Sequence, residues 1–405
     1  MQLTFLLYFP HLTSSSSPHQ QPTKLANSFI SSSHNNLLDT KQSGFKSNHS
    51  TETALLSVTE ALRLARATSR SSILILLDLS AAFDTVNHQI LLSTLSNLGI
   101  TGSVLCWVES YLSVRSFKVS WSGGISETRQ LTTAVPQGLT IHLSARISSC
   151  LLDILVWMKE QHLKLNLGKS ELLVIPAYPS INQNFTVQLG SLTLMPTRTA
   201  RNLGVILDDG LTFTDHISAT ARSCRFILYK IKKIRPYLNK QATQILVQAL
   251  VISKLDYCNS LLSGLPARSI KPLQMIQNAA ACLVFNQPKT THVTPLFISL
   301  HWLPVAACIK FKAFMLTYKT FSRTAPSYLN SLLKVYIPSR NLQSTSDRRL
   351  VVPTQRGVRS LSRTLTLTIP QWWNALPISI RTAESLTIFK KQLKTYLFRE
   401  HLTNS

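Results

Sequence analysis

The sequence predicts an α+β chain in which a mixed front part is followed by a mostly helical and strongly basic rear part. In the front part, segments with helical periodicity alternate with short apolar runs typical of strands. From Asp215 onward, long helical stretches dominate, interrupted by Pro236, Pro266, Pro288 and Pro304. The charge divides at the same place. Residues 218–405 hold 27 basic and 4 acidic side chains, whereas residues 1–217 hold 15 and 13.

The charge balance indicates a polyanionic partner. The formal net charge is +25 over 405 residues. Such an excess is most often matched by nucleic acid and less often by an anionic membrane surface. The alternative is a solvated basic surface without a ligand.

Cysteine usage and the amino terminus suggest an intracellular protein. The six cysteines include no C-x-x-C pair and have no histidine at zinc-knuckle spacing. This scatter is typical of buried apolar cysteines in a reducing compartment. No run of 18 apolar residues occurs, so we expect no membrane span. Residues 1–10 are apolar but lack a preceding basic residue, so we expect a nuclear or cytoplasmic protein that is not secreted.

The elements of the front part follow from periodicity and capping residues. Residues 1–35 are expected to be a disordered or aberrant segment, with order beginning near Asn36. A helix over 50–67 has Ser50 or Thr51 as its N-cap. Residues 73–77 form an apolar run, bounded by Ser71 and Ser72 and by Asp78, that predicts a strand buried on both faces. The remaining predicted elements are helices at 88–98, 103–112 and 144–161, a hairpin over 117–132, and strands near 171–175, 186–194 and 201–207.

Asp78 is the first residue that indicates chemistry. It ends an apolar run, where a lone carboxylate would be costly to bury, and a metal ion would offset that cost. The alternative is a strand that ends in a helix-capping aspartate, with the nearby Phe83 in the core.

Five segments resemble, in order, the motifs of one enzyme family. They are Gln42–Lys46, Asp78–Asp84, Ala134–Gly138, His162–Ser170 and Asn202–Asp208. Together they resemble the reverse transcriptases of non-LTR (LINE-type) retrotransposons. Residues 254–259 and 371–377 also resemble the C-terminal part of fish-type LINE open reading frames, so that the resemblance covers about residues 25–405.

The resemblance implies a role for each matched residue. Asp78 would be the catalytic metal ligand, and Lys169 a candidate general acid for the leaving pyrophosphate. The nucleotide-binding residues would be Lys46, Phe83, Gln137 and Gly138, and the primer-grip hairpin would contain Leu203 and Gly204. Lys46 stands where the family usually has arginine, so it lacks the planar fork of that side chain. The implied cofactor is Mg²⁺, and the implied partners are an RNA template and a DNA primer or target, with nothing to indicate a protein partner.

One segment of the family pattern is missing from the sequence. Nucleotidyl transfer needs two divalent ions held by carboxylates from two adjacent strands. The second carboxylates belong to a Tyr/Phe-x-Asp-Asp hairpin, but only residues 139–143 separate Gly138 from the predicted helix at Ser144. The one Asp-Asp pair, Asp208-Asp209, reads as a hairpin turn. We therefore expect an inactive copy whose 73–77 strand has unpaired backbone groups and an exposed apolar face; the alternatives are a non-catalytic nucleic-acid-binding remnant or an unstable product.

The rear part supplies the expected nucleic-acid contacts. The sequence divides into residues 1–35, a partial fingers and palm region over 36–215, and a basic helical thumb and C-terminal region over 216–405. Within the last, Tyr229 and Phe226 are candidates for base stacking, although core packing is the expected role of Phe226. The predicted phosphate contacts, several of which share faces of one helix, are Arg222, Arg225, Lys230, Lys232, Lys233 and Arg235.

Overall fold

A computed structural model describes most of the rear part and portions of the front part. The described residues are 2–8, 42–44, 48–80, 88–97, 105–106, 109, 116–117, 120–121, 124–125, 129–130, 164–166, 169–176, 186–189, 192–330, 332–336, 347–353 and 365–403. The predicted helix at 144–161 and most of the one at 103–112 lie outside them.

The strands belong to the front part, as predicted. In chain order they are β1 (Gln2–Tyr8), β2 (Ser72–Ser80), β3 (Ser116–Phe117), β4 (Ser120–Trp121), β5 (Gly124–Ile125), β6 (Arg129–Gln130), β7 (Lys164–Leu165), β8 (Glu171–Ile175), β9 (Val187–Leu189), β10 (Leu192–Leu194), β11 (Pro196–Thr197), β12 (Thr199–Asn202) and β13 (Val205–Asp208). The pairings β3–β6 and β4–β5 confirm the hairpin predicted over 117–132.

The helices include two in the front part and the long series predicted in the rear part. They are α1 (Thr51–Ala67), α2 (His88–Asn97), α3 (Thr214–Ile234), α4 (Lys240–Val247), α5 (Ser253–Asp256), α6 (Ala267–Val284), α7 (Thr294–Leu300), α8 (Val305–Phe321), α9 (Ser327–Asn330), α10 (Leu365–Ala375), α11 (Ile378–Arg381) and α12 (Leu386–Phe398). Short 3₁₀ turns at Arg235–Tyr237 and Asn259–Leu262, and π-helical turns at Gln248–Ile252 and Arg399–Thr403, join or extend them.

The main sheet corrects two expectations about the front part. Its order is β1-β2-β8-β11, and β7 also pairs with β2. Strand β1 runs antiparallel to β2, with Gln2 opposite Asp78 and Tyr8 opposite Ser72. Residues 2–8 therefore form a paired strand, although regular structure was expected to begin near Asn36. The expectation of an unpaired, exposed β2 is also wrong, because β1 and β8 both pair with it and its apolar run is buried.

Helix α1 begins where its capping residue predicts. Ser50 accepts a hydrogen bond from the backbone N–H of Thr53 at 3.2 Å, and the Thr53 hydroxyl oxygen accepts one from the Ser50 N–H at 2.9 Å, which completes a capping box. The helix buries Leu55, Leu56 and Leu62. These side chains join one hydrophobic core that runs from the main sheet to the last helix, so the front and rear parts share a core across the predicted boundary at 215.

Polar side chains of α1 also contact the rear helices. The buried Arg63 donates to the carbonyl of Leu261 at 3.2 Å. Glu60, only 1% exposed, accepts hydrogen bonds from the backbone N–H and the hydroxyl of Thr366, both at 2.9 Å. Because Thr366 lies in the first turn of α10, the Glu60 carboxylate satisfies a helix N–H that has no partner within the helix. Helix α1 therefore belongs structurally to the rear part as much as to the sheet.

An aromatic cluster holds the last helices together. The buried Trp373 of α10 stacks on Phe321 of α8 at 5.3 Å between ring centroids and lies 5.8 Å from Phe389 of α12. Tyr318 stacks on Phe389 at 4.4 Å.

In the part of the chain that the structure describes, no single helix is long and apolar enough to cross a membrane. Helices α7 and α8 have the required length and composition only when taken together, and the chain bends by 41° between them.

Candidate functional site

The main sheet brings two predicted catalytic residues to one end of β2. Leu76 of β2 pairs with Glu171 of β8, and Leu79 pairs with Leu165 of β7. The described residues of the link between β7 and β8 are 166, 169 and 170, and they therefore lie at this end of β2. Lys169 is one of these residues, and its side chain is exposed. The Lys169 N–H donates to Asn166 O at 3.1 Å and closes a turn. The backbone thus places Asp78 and Lys169 at the same end of the sheet.

Within the residues that the structure describes, the strands paired with β2 do not place a second pair of carboxylates beside Asp78. Its direct partner on β1 is Gln2, and the partner of Ser80 on β7 is Lys164. The nearest acid on a paired strand is Glu171, which motif-based reasoning missed because it belongs to no recognised motif. Its Oε2 accepts a hydrogen bond from the Arg201 N–H at 2.7 Å. Among the described residues, which do not include the side chain of Asp78, no group of three or more potential metal ligands occurs.

Four predicted nucleotide-binding residues lie outside the described residues. They are Lys46, Phe83, Gln137 and Gly138. The side chain of Asp78 is likewise outside, although its backbone is part of β2. Their roles stay predictions.

The predicted primer-grip residues form the turn of a β-hairpin. Strands β12 and β13 pair from Thr199 opposite Asp208 to Asn202 opposite Val205, leaving Leu203 and Gly204 as the two-residue loop. Both have positive φ, 47° and 85°, the pattern of a type I′ turn. Leucine rarely adopts this conformation, so the turn needs outside support.

Tyr257 of the rear part supplies that support. Its hydroxyl donates to Leu203 O at 2.6 Å. Its ring lies so close to Gly204 that an added Cβ would meet Cε1 and Oη at 3.5 Å. The contact connects the hairpin to the segment at 254–259, which the sequence singled out without a role.

An ionic network anchors this segment to α1 and α8. Glu52 Oε2 lies 3.1 Å from Lys312 Nζ, and Glu52 Oε1 accepts a hydrogen bond from the Ser260 N–H at 3.0 Å. Lys312 also donates to the carbonyl of Asp256. Burial raises the pKa of the Asp256 carboxyl, and Lys312 opposes the shift. Tyr257 is thus held in place from both sides by elements of the front and rear parts.

Asp208 closes the connection between β13 and α3. Its Oδ1 accepts from the N–H groups of Gly210 and Thr212 at 3.1 and 2.8 Å, and its Oδ2 accepts from the Phe213 N–H at 2.6 Å. Asp208 and Asp209 do begin a turn, in which the Leu211 N–H donates to Asp208 O at 2.9 Å. A helix rather than a second strand follows it, so the predicted hairpin is wrong. Asp208 ends a strand, and its two carboxylate oxygens satisfy the N–H groups that precede the helix.

Helix α3 presents a basic and aromatic face to solvent. Its buried stripe consists of Ile217, Ala221, Cys224, Leu228 and Ile231. The side chains on the other side are exposed, and they comprise Arg222, Arg225, Phe226, Tyr229, Lys230, Lys232 and Lys233. We call these seven residues the α3 face. The prediction that Phe226 lies in the core is wrong, because its side chain is 59% exposed.

Arg235 differs from the other basic residues predicted to contact nucleic acid. Its guanidinium donates to the carbonyls of Leu283, Val284 and Leu238 at 3.1, 3.2 and 2.7 Å. Two of these are terminal carbonyls of α6, which have no partner within their helix. The structure thus gives Arg235 a role as a helix cap rather than a place on the α3 face.

His216 lies at the start of α3 and packs against the primer-grip hairpin. Its Nδ1 accepts from the Ile206 N–H at 3.4 Å. Burial and the nearby Arg201 lower the pKa of the imidazole below its usual 6.5.

Comparison with known families identifies the front two thirds of the chain. A family described as reverse transcriptase (RNA-dependent DNA polymerase) matches residues 18–271. The match includes the main sheet from β2 onward, the β12–β13 hairpin and the α3 face. No curated protein matches the chain significantly.

Proposed function

Because this chain belongs to the reverse transcriptase (RNA-dependent DNA polymerase) family, we propose that it is a non-LTR retrotransposon reverse transcriptase that retains nucleic-acid binding but has lost polymerisation. The implied partners are an RNA template and a DNA primer or target, met in the nucleus or cytoplasm. The α3 face carries this proposal, because it is the best-defined feature suited to a polyanion.

The loss of polymerisation is proposed from the sequence around Asp78. Family members hold two Mg²⁺ ions between carboxylates of adjacent strands, and the ions activate the primer hydroxyl and stabilise the leaving pyrophosphate. Here only five residues separate Gly138 from Ser144, too few for a helix and a carboxylate hairpin. Strand β1 occupies the position beside β2, with Gln2 opposite Asp78. We propose that this copy has an internal deletion and that β1 compensates for the lost strands.

Retained nucleic-acid binding is proposed from the distribution of charge. Residues 218–405 carry 27 basic and 4 acidic side chains. On α3 the only acid is Asp215, in the first turn, where it stabilises the helix N-terminus. The exposed lysines and arginines of the α3 face can thus contact phosphates. Because the phosphate groups are the same at every nucleotide, such contacts do not depend on base sequence. We expect binding with little sequence preference.

Salt dependence tests the binding directly. The full chain is used, because its front and rear parts share one core. Affinity for a duplex should fall roughly 10³- to 10⁵-fold between about 50 and 200 mM salt if about six to ten phosphates are contacted. Neutralising Lys232 and Lys233 together should lower the slope by about two units at most.

A matched control separates the α3 face from total charge. Lys289 and Arg323 are exposed basic residues outside α3. Replacing both with alanine removes the same charge and should leave the slope nearly unchanged. Absence of binding at low salt, a flat salt dependence, or equal slope losses in both double variants would each refute the proposed interface.

A further inference from the structure

The α3 face exposes aromatic rings that phosphate binding does not explain. Phe226 is 59% exposed, Tyr229 56%, and Tyr237, just after the helix, 88%. Burying such rings on folding would be favourable, so their exposure next to basic residues needs another reason.

Each of the two helical rings is paired with a lysine. Lys230 Nζ lies 4.7 Å from the centroid of the Phe226 ring, and Lys233 Nζ lies 4.9 Å from that of Tyr229. Both pairs have the i, i+4 spacing that places side chains together on a helix surface. Phe226 and Tyr229, three residues apart, are themselves neighbours. The surface therefore repeats one unit, an aromatic ring beside an ammonium group, twice along the helix.

We propose that this surface, formed by Phe226, Tyr229 and their paired lysines, binds single-stranded nucleic acid by stacking successive bases on the two rings. The proposal rests on the proposed nucleic-acid binding and specifies its substrate class. A single strand offers both a base face and a flanking phosphate at each nucleotide, matching the repeated unit. In a duplex the base faces are stacked on one another, so only the phosphates remain for the lysines. The high positive charge around the rings disfavours a basic or neutral protein as the occupant.

The test compares single strands with duplexes on the full chain. The probes are unstructured RNA and DNA strands of about 20 nucleotides, longer than a typical aromatic-lined site of about 4–16 nucleotides, and a blunt duplex of the same sequence. Phe226→Ala with Tyr229→Ala should weaken single-strand binding by roughly 5- to 150-fold per ring. Duplex binding should change less than about 2-fold. Because both side chains are exposed, the double variant should melt like the parent.

A second double variant separates stacking from apolar contact. Phe226→Leu with Tyr229→Leu keeps bulky apolar side chains with good helix propensity but removes the aromatic faces. It should lose as much single-strand affinity as the alanine variant. Parent-like affinity in the leucine variant, or equal losses for single strand and duplex, would overturn the stacking proposal while leaving nucleic-acid binding intact.

Two further outcomes are distinguishable. If neither probe binds at low salt, the proposed function itself fails. If the alanine variant keeps its single-strand affinity but changes the oligomeric state in sedimentation, the rings mediate contact between copies and the stacking proposal is wrong.

Discussion

The contact between Glu60 and Thr366 predicts that the front and rear parts unfold together. Glu60 is buried, and its Oε1 accepts both the N–H and the hydroxyl of Thr366 at 2.9 Å. Hydrogen bonds to a charged group contribute about 1.5–3 kcal/mol each, and a carboxylate at a helix N-terminus adds about 0.3–1 kcal/mol. Glu60→Ala leaves the part-buried donors of Thr366 without this partner, so the two lost hydrogen bonds should cost about 3–5 kcal/mol.

Glu60→Gln separates charge from shape. The amide keeps the size of the side chain and one acceptor but loses the charge, so the loss should be about 1–2 kcal/mol. Glu384→Gln is the matched control, since Glu384 is exposed and its replacement should change stability by less than about 0.5 kcal/mol.

Two probes in one denaturant series decide whether the unit is cooperative. Hydrogen exchange at the amides of Leu393 and Leu397, which are buried in α12, reports on the rear helices. Hydrogen exchange at the buried amides of residues 74–77 reports on the main sheet. Both should shift by the same free energy in Glu60→Ala. A shift confined to the rear probe, or none at all, would refute the reasoning that the two parts share one cooperative core.

Three further predictions concern single residues. Gly204→Ala places a Cβ at φ 85° and should lower the free energy of unfolding by about 1 kcal/mol, measured by thermal melting; an unchanged melt would contradict the assigned turn. The pKa of His216 is below 6.5 in the folded chain, so as the pH falls this imidazole is protonated in the unfolded chain before it is protonated in the folded chain. The free energy of unfolding should therefore decrease as the pH drops below 6.5. His216→Asn should flatten that fall, and an identical pH profile would exclude His216 as a cause. Arg235→Gln should cost about 1–3 kcal/mol of stability without changing the salt slope of nucleic-acid binding, whereas a lower slope with parent stability would return Arg235 to the interface.

Local signals in the sequence predicted the elements that depend on local physics. The capping residue Ser50 fixed the start of α1, and the apolar run at 73–77 predicted β2. The pairing of residues 2–8 with β2 was not predictable in this way, because contacts between segments seventy residues apart leave no periodic trace in either.

Predictions for the candidate site failed where a residue was judged by its type alone. Phe226 was expected in the core because it is apolar, but the buried positions of α3 follow Ile217, Ala221, Cys224 and Leu228, and residue 226 lies off that stripe. The full helical period would have predicted this exposure. By contrast, the capping role of Arg235 depends on carbonyls nearly fifty residues later, which only the folded chain brings close.

The proposed loss of polymerisation is tested most directly by measuring binding and primer extension on the same preparation. The full chain with Mg²⁺ and an annealed primer on RNA should bind the substrate at low salt and add no nucleotide above background. Mg²⁺-dependent extension that Asp78→Ala abolishes would contradict the account and confirm Asp78 as the metal ligand. If Glu171→Gln abolished that extension as well, Glu171 would be the carboxylate that replaces the missing pair.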